Sequence, residues 1–395
     1  MQAFVYYSPT KVVFGKDTET HTGSEIKKFG GSRVFVIYGG SAKKSGLLDR
    51  IVKSIEENGL EYELCTGVLP NPRLSFARDA AKKAISFGAD FVLAVGGGSV
   101  IDTAKAVADA AANPGVDIWD LWTGKAALDT ALPVGVVLTI SAAGSETSQS
   151  SVLTNEDTGS KRGLSSDLHR PKFAVMNPEL TYTLPLYQIA CGIADILMHT
   201  LDRYFTPTTG NEMTDQIAEA LLRVVFKYGA IAIKNPQDYD AASELMWAGS
   251  LSHNGITGAG YVTDFAPHQL GHELSAKFDV AHGASMTAVW ESWAQYACEG
   301  AGSRRFAQYG RNVWGLTEGS DDEVAAAGIR KTVEYFKSIG MPTCFSEVEE
   351  MGVVSDEVLQ KLADGCSYHG ARPAIGNLRK LDRQGMYEVY KMANK

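Results

Sequence analysis

Short apolar runs alternate with amphipathic segments before about residue 180. The runs RVFVIYGG (33–40), FVLAVGGG (91–98) and LPVGVVLTI (132–140) each end in glycine or hydroxyl residues. Strands that are buried on both faces of a parallel sheet have this continuous apolar character. We therefore predict three buried strands here, and an edge strand or hairpin from TKVVFG near the start of the chain.

Between these runs, SGLLDRIVKSIEENG and LSFARDAAKKAISFG repeat apolar residues at helical spacing and stop at Gly59 and Gly88. The alternation of strand and helix predicts a doubly wound α/β sheet. From about residue 186 strand-like runs disappear, and segments such as NEMTDQIAEALLRVVFKYGAIAI predict long helices.

The fold is thus expected to have two domains, since 395 residues exceed one ordinary core. We predict a Rossmann-like α/β dinucleotide-binding domain at residues 1–183. An all-α metal- and substrate-binding domain follows at residues 184–395, after a linker bracketed by Pro178 and Pro185.

Composition narrows the function classes. The net charge of −9 and the absence of a Lys/Arg cluster argue against a nucleic-acid partner. Five dispersed cysteines without a CxxC pair suit a reducing compartment. The N-terminus does not resemble a signal peptide, and no apolar run is long enough to span a bilayer. We expect a cytoplasmic enzyme with no membrane partner.

The segment VLAVGGGSVIDTAKAVA joins a buried strand to a helix through Gly96, Gly97, Gly98 and Ser99. Small residues let the backbone approach a ligand, and the free N–H groups of a helix N-terminus bind phosphate. Ile101 stands where the GxGxxG fingerprint has its third glycine, so a tight turn without a ligand is the alternative. We favour phosphate binding.

A second turn, VIYGGSAKKSG, ends its strand in Gly39, Gly40 and Ser41, with Lys43 and Lys44 close behind. NAD-binding enzymes commonly carry a carboxylate near this point for the ribose hydroxyls. Its absence and the positive charge favour the 2′-phosphate of NADP over NAD, although the lysines could simply be solvated.

A third turn, LTISAAGSETSQSSVLT, presents Thr139, Ser141 and Ser145 after a strand. These hydroxyls could bind phosphate or ribose, but such residues are also ordinary turn formers.

Two pairs of polar residues four positions apart suggest a metal site. His268 and His272 share one face of a predicted helix, as do Asp195 and His199 in CGIADILMHTLDRY, and His282 follows after a turn. A carboxylate amid Ile, Leu and Met needs a partner. Imidazoles with one carboxylate suit Fe(II) or Zn(II). The spacing alone allows all three histidines to be ligands.

A metalloprotease site is excluded at the same segment. HExxH would need a second histidine at position 276, which is Ala276. Read from His268, the motif would need a glutamate where Gln269 stands.

The combined motifs resemble the iron-containing (group III) alcohol dehydrogenase family, and within it the NADPH-dependent butanol dehydrogenase and aldehyde reductase branch. They are SPTKVVFG, PNP, GGGSVIDTAK, GSE, DILMH, GHEL and AHG, spread over nearly the whole chain. The resemblance implies Asp195, His199, His268 and His282 as metal ligands. It implies that His272 lies near the nicotinamide as a second-shell or proton-handling group.

The resemblance also implies a dehydroquinate synthase-like fold with cofactor contacts along the N-terminal domain. Gly96–Gly98 and Ser99 would cradle the pyrophosphate, and Lys161 would lie by the ribose. The expected set is Gly39, Gly40, Ser41, Asn71 (of PNP), Gly96, Gly97, Gly98, Ser99, Thr139, Ser141 and Lys161. One departure is Ala143, where a threonine of the family's T-x-x-x-T-G-S-E turn often contacts the cofactor.

The function implied is a metal-dependent, NADP(H)-linked oxidoreductase that interconverts primary alcohols and aldehydes by hydride transfer, with the metal polarising the substrate oxygen. A homodimer or larger homo-oligomer is expected. The alternatives are a dehydroquinate synthase-like metal-dependent lyase, or a glycerol or diol dehydrogenase using NAD. A lyase would need more Lys and Arg for an acidic substrate. Near the metal motifs the chain instead has aromatic residues, which could line a substrate pocket or belong to the hydrophobic core. They are Trp247, Phe265, Trp290 and Trp293.

Overall fold

The computed structural model describes residues 2–395, and the chain divides into two units at Pro185. One unit comprises Tyr7–Leu184. The other comprises Pro185–Lys395 together with the residues before Tyr7.

A parallel sheet of six strands forms the centre of the first unit, in the order β1-β8-β5-β4-β2-β3. Strands β6 and β7 form a separate antiparallel pair. The strands are β1 Lys11–Phe14, β2 Arg33–Tyr38, β3 Glu61–Thr66, β4 Phe91–Gly96, β5 Val134–Leu138, β6 Ser150–Asn155, β7 Ser160–Ser165 and β8 Phe173–Met176. The three buried strands and the edge strand predicted from the sequence are confirmed as β2, β4, β5 and β1.

Helices connect these strands, as the alternating pattern predicts. They are α1 Thr22–Lys28, α2 Gly40–Lys44, α3 Leu47–Glu57, α4 Leu74–Phe87, α5 Gly98–Ala112 and α6 Ile118–Trp122. The predicted helix ends are confirmed for α3 and α4, because Gly59 and Gly88 both follow them with left-handed φ values of 70° and 72°.

The order of the strands reverses at β2, which pairs with β3 on one side and β4 on the other. In open α/β sheets, ligands bind outside the carboxyl ends of the strands at such a switch point. The turn after β2 lies against the carboxyl end of β4 there, since the Gly39 N–H donates to the Val95 carbonyl at 3.0 Å. Both predicted glycine turns therefore lie at the ligand-binding position of this fold.

The second unit is helical. Apart from an isolated bridge between Ile375 and Leu381, residues 185–395 contain no strand pairing. Its helices are α7 Leu186–Tyr204, α8 Glu212–Lys234, α9 Tyr239–His253, α10 Ala266–Phe278, α11 His282–Cys298, α12 Ser303–Trp314, α13 Asp321–Ser338, α14 Asp356–Cys366 and α15 Arg383–Ala393. Trp290 and Trp293 are fully buried in its hydrophobic core. Among residues 2–395, no helix has the length and apolar character needed to cross a membrane.

A buried lysine ties α5 to the turn after β5. The Lys105 ammonium donates to the carbonyls of Ser145, Ser148 and Ser150 at 2.8, 3.1 and 2.7 Å. The Ser145 hydroxyl donates in turn to Asp102 at 2.6 Å. Burial lowers the pKa of Lys105 to about 8. Because one side chain satisfies three carbonyls, the path of the turn after β5 depends on it.

We expect Lys105→Met to lower the free energy of unfolding by about 2–4 kcal/mol. The change removes the hydrogen-bond donor of three backbone carbonyls and leaves Asp102 without its nearby cation. Lys82→Met is the matched control, because Lys82 pairs with Asp79 on the exposed surface of α4. That change should cost less than about 0.5 kcal/mol. Guanidinium unfolding of the two variants measures both values, and equal losses would contradict the structural role of Lys105.

Candidate functional site

Helix α7 carries a polar stripe on an otherwise apolar sequence. Asp195, His199 and Asp202 follow one another at spacings of four and three residues, which puts them on one helix face. All three side chains are buried. Burying ionisable groups is unfavourable unless they are paired or bind a metal, so this face needs partners from the neighbouring helices.

Helix α10 supplies the first partner. Phe265 precedes it with a left-handed φ of 60°, and the Ala266 N–H donates to Asp264 at 3.0 Å, which caps the first turn. His268 lies in that turn and is buried, whereas His272, one turn later, is half-buried. The sharp, capped entry fixes His268 against α7.

Helix α11 supplies the second partner. It begins at His282, directly before Gly283. A Cβ atom at Gly283 would lie 2.2 Å from the carbonyl oxygen of Cys191, so only glycine lets α11 approach α7 this closely. The close approach brings His282 Nε2 to 3.7 Å from Asp195 Oδ1.

The structure brings together the four residues that the resemblance implies as ligands. One nitrogen or oxygen atom from each of Asp195, His199, His268 and His282 lies within 4.8 Å of all the others. His199 Nε2 lies 3.4 Å from Asp195 Oδ1. Atoms bound to one ion at about 2.1 Å in a tetrahedral site lie about 3.4 Å apart, so the widest pair would have to close by up to about 1.4 Å. One carboxylate and three imidazoles suit a divalent transition metal.

The hydrogen bonding of His268 fits such an ion. Its Nδ1 lies 2.6 Å from Asp202 Oδ2, and Asp202 is fully buried. A carboxylate accepts the proton of Nδ1–H, which leaves a lone pair on Nε2. His268 Nε2 is buried and has no hydrogen-bond partner among residues 2–395. A cation on Nε2 would satisfy this atom.

Burial also keeps His199 neutral. Desolvation, then the neighbouring His253 and His268, lower its pKa well below the usual value. The His253 ring stacks on it at 3.9 Å between centroids. Arg203 donates to the His199 carbonyl at 2.7 Å and holds a guanidinium nitrogen 3.4 Å from Nδ1. A neutral imidazole is the form that binds metal.

His272 lies beside the four donors and is not one of them. Its ring centroid is 5.4 Å from that of His282 and 6.3 Å from that of His268. His272 is half-buried, and so is the donor His282, whereas the donors Asp195, His199 and His268 are buried. The accessible side of the cluster is therefore the side that carries His272.

Sequence reasoning did not assign Asp202 or His253 to the site. The signal for Asp202 was present in DILMHTLDRY, because it continues the stripe of Asp195 and His199.

Phe265 was noted from the sequence only as an aromatic residue near the metal motifs. Its ring lies 5.3 Å from that of His268, with the Arg203 guanidinium 4.8 Å from the Phe265 ring.

In the other unit, the turn after β4 is sterically restricted to glycine. A Cβ at Gly96 would lie 2.6 Å from the Val100 side chain, and one at Gly97 would lie 2.3 Å from Ile140. Gly97 to Ser99 remain half-buried at the start of the 15-residue helix α5. The close packing explains two of the glycines, and the helix N-terminus offers N–H groups for an anion.

Gly39 is different, because its backbone does not require glycine. Its φ is −78°, and an added Cβ would meet Val100 and the Ser41 hydroxyl at ordinary contact distances of 3.7 and 4.0 Å. Ser41, Lys43 and Lys44 are exposed on α2. The position after β2 could thus hold a carboxylate and does not.

Of the remaining residues expected to bind the cofactor, Lys161 and Asn71 contact each other. Lys161 and Asn71 are both buried, and the lysine donates to the asparagine side chain at 2.8 Å. Thr139 follows β5, with its N–H bonded to the Gly96 carbonyl at 3.1 Å, and Ser141 is half-buried. The Ser145 hydroxyl donates to Asp102 and accepts from Lys105 at 2.9 Å, so this candidate residue belongs to the internal hydrogen-bond network around Lys105.

Comparison with known proteins agrees with this geometry. The family model described as iron-containing alcohol dehydrogenase matches residues 9–178, and the model for the C-terminal part of the Fe-containing alcohol dehydrogenase family matches residues 189–394. NADH-dependent butanol dehydrogenase A of Clostridium acetobutylicum is 38% identical over 393 residues, which is 99% of each chain. NADPH-dependent aldehyde reductase YqhD of Escherichia coli is 36% identical, over 92% of this chain and 94% of the reductase.

Solved structures give the same result. NADH-dependent butanol dehydrogenase A of Thermotoga maritima superposes with a TM-score of 0.95 at 35% identity, over 100% of this chain and 99% of that one. YqhD of Escherichia coli superposes with a TM-score of 0.93 at 33% identity, with the same coverage. These matches do not favour the alternative of a dehydroquinate synthase-like lyase. The chain belongs to the iron-containing alcohol dehydrogenase family.

Proposed function

We propose that this protein is a metal-dependent, NADP(H)-linked oxidoreductase that interconverts primary alcohols and aldehydes. The observation that carries the proposal is the donor cluster of Asp195, His199, His268 and His282, whose selected atoms lie within 4.8 Å of one another. A divalent ion such as Fe(II) or Zn(II), held by these residues, supplies a Lewis acid for the substrate oxygen. The named butanol dehydrogenases and aldehyde reductase support the substrate class.

The protein's own side chains have separate tasks in this proposal. Asp195, His199 and His268 are buried and hold the ion away from water, whereas His272 faces the accessible side. A histidine's unperturbed pKa suits proton transfer near neutral pH. We propose that His272 takes the hydroxyl proton during alcohol oxidation and returns it during aldehyde reduction.

NADP(H) is proposed as the cofactor on the basis of the turn after β2. Relatives named for NADH and one named for NADPH match the chain at similar identity, so the residues of the turn carry the argument. Gly39 has room for a side chain and carries none. The exposed Lys43 and Lys44 add positive charge suited to a 2′-phosphate.

His268→Ala should abolish both metal content and butanol oxidation, because it removes a donor from the cluster. NADPH affinity should change by no more than about twofold, since the glycine turns are formed by other residues. Metal analysis of protein purified without chelator, NADPH fluorescence titration and an absorbance assay measure the three effects. Retained turnover in metal-free protein would rule out the metal mechanism.

His272→Ala is the matched variant on the same helix. It should keep its metal, since His272 is not one of the four donors, but lose about 10²- to 10⁴-fold in kcat as expected for a proton-transfer group. Metal content and steady-state kinetics are measured together. Loss of metal on the scale of His268→Ala would show instead that His272 is a ligand.

Gly39→Asp should reverse the cofactor preference. The carboxylate would repel the 2′-phosphate and accept the ribose hydroxyls, and the ratio of kcat/KM with NADPH to kcat/KM with NADH should fall at least about tenfold. Gly39→Asn adds a side chain of the same shape without charge and should shift the ratio less. A wild-type enzyme that prefers NADH would contradict the proposed cofactor.

A further inference from the structure

Asp202 is a buried carboxylate next to the donor cluster, and it does not belong to it. Its Oδ2 lies 2.6 Å from His268 Nδ1 and 3.4 Å from the His268 backbone nitrogen, so it contacts this residue at two points. Its own backbone carbonyl accepts from the Asp264 N–H at 2.9 Å, which links it to the cap of α10. The helix that carries His268 is thus fixed to α7 at Asp202.

The contact determines which nitrogen of His268 carries the proton. A carboxylate can only accept, so the short Nδ1 contact requires a proton on Nδ1. In the neutral ring this leaves Nε2 bare, and Nε2 is the buried atom without a hydrogen-bond partner among the described residues. A carboxylate behind an imidazole also makes the opposite nitrogen a more basic ligand.

The Nδ1 atom of His199 faces a cation, whereas that of His268 faces a carboxylate. His199 Nδ1 faces the guanidinium of Arg203 at 3.4 Å, and Arg203 also holds the His199 carbonyl at 2.7 Å. A cation behind a ring weakens its lone pairs rather than strengthening them. Of these two buried imidazoles, only His268 has a carboxylate on Nδ1; the carboxylate near His199 is Asp195, which lies on the Nε2 side and belongs to the donor cluster.

We infer that Asp202 is a positioning residue of the metal centre: it holds His268 in the Nδ1–H tautomer, aims Nε2 at the ion and strengthens it as a ligand. The inference rests on the proposed function, because it presupposes that the four donors bind a metal. It adds a residue that contacts the donor cluster through His268.

The chain offers a matched control in its other unit. Asp109 and His169 form a second buried carboxylate–imidazole pair, with 2.7 Å between Asp109 Oδ2 and His169 Nε2 and both side chains fully buried. Neither residue belongs to the donor cluster. Asp109→Asn therefore reproduces the loss of a buried Asp–His bond without touching the metal centre.

The test uses the full-length protein after removal of metal by a chelator. Co²⁺ is titrated into wild type, Asp202→Asn, Asp202→Glu and Asp109→Asn, and binding is measured by visible absorption in competition with a chelator of known affinity. Asp202→Asn should weaken Co²⁺ binding about 10- to 100-fold. Asp109→Asn should change it by no more than about twofold. Asp202→Glu keeps the charge and should bind more tightly than Asp202→Asn.

Stability is separated from metal binding by comparing the thermal midpoints of each variant with and without Co²⁺. Unchanged affinity in Asp202→Asn would overturn the inference, as would equal losses in Asp202→Asn and Asp109→Asn. A wild type that takes up no Co²⁺ would overturn the proposed metal centre and this inference with it. A wild type that binds while Asp202→Asn binds equally well would overturn the inference alone.

A second measurement does not depend on whether Asp202→Asn folds. Nitrogen NMR of the metal-free wild type with ¹⁵N-labelled histidine reports the tautomer of each ring, and His268 is assigned by the signals lost in His268→Ala. In the pH range where the His268 ring is neutral, a protonated Nδ1 with a bare Nε2 is expected. A neutral ring that carries its proton on Nε2 would overturn the inference.

Discussion

Burial of charge on α7 is the constraint on which the functional site depends. Asp195 and Asp202 are removed from water on the same helix, and an isolated buried carboxylate costs several kcal/mol. Arg203 brings one compensating charge, and its burial lowers its own pKa to about 10. Two carboxylates and one guanidinium leave a net negative charge on α7, which the neutral His199 does not offset. A divalent cation on the donor cluster would offset it, so the proposed chemistry of the site and the stability of the helical unit would favour the same ion.

Much of the donor cluster could be predicted from spacing, because residues four apart on a helix must share a face. The spacing could not separate His268 from His272, which the family resemblance did. In the structure the surroundings of the two rings differ, because Asp202 bonds His268, while His272 lies one turn further along α10. Asp202 itself escaped prediction because its role depends on the packing of α7 against α10, which no local pattern encodes.

The fold shows the same division between local and long-range information. The central strands β2, β4 and β5 were predicted, because burial on both faces produces continuous apolar runs such as β4, whereas the buried four-residue strand β8 was not predicted. Strand β3, EYELCT, was not predicted, since its place at the edge of the sheet leaves most of its residues partly or fully exposed. The β6–β7 pair is short and rich in polar residues, so pairing rather than composition defines it. Its turn residues, NEDTG, were the available signal.

All four donor groups lie between residues 195 and 282, after the last strand of the parallel sheet. Domains generally fold in order as a chain is synthesised. The sheet and its glycine turns can therefore form before α11, which carries the last donor, has emerged from the ribosome, and the cluster cannot assemble until then. If the cluster binds a metal as proposed, the capture of that metal is a late event in biosynthesis, because the chelating site is incomplete while the first unit is being made.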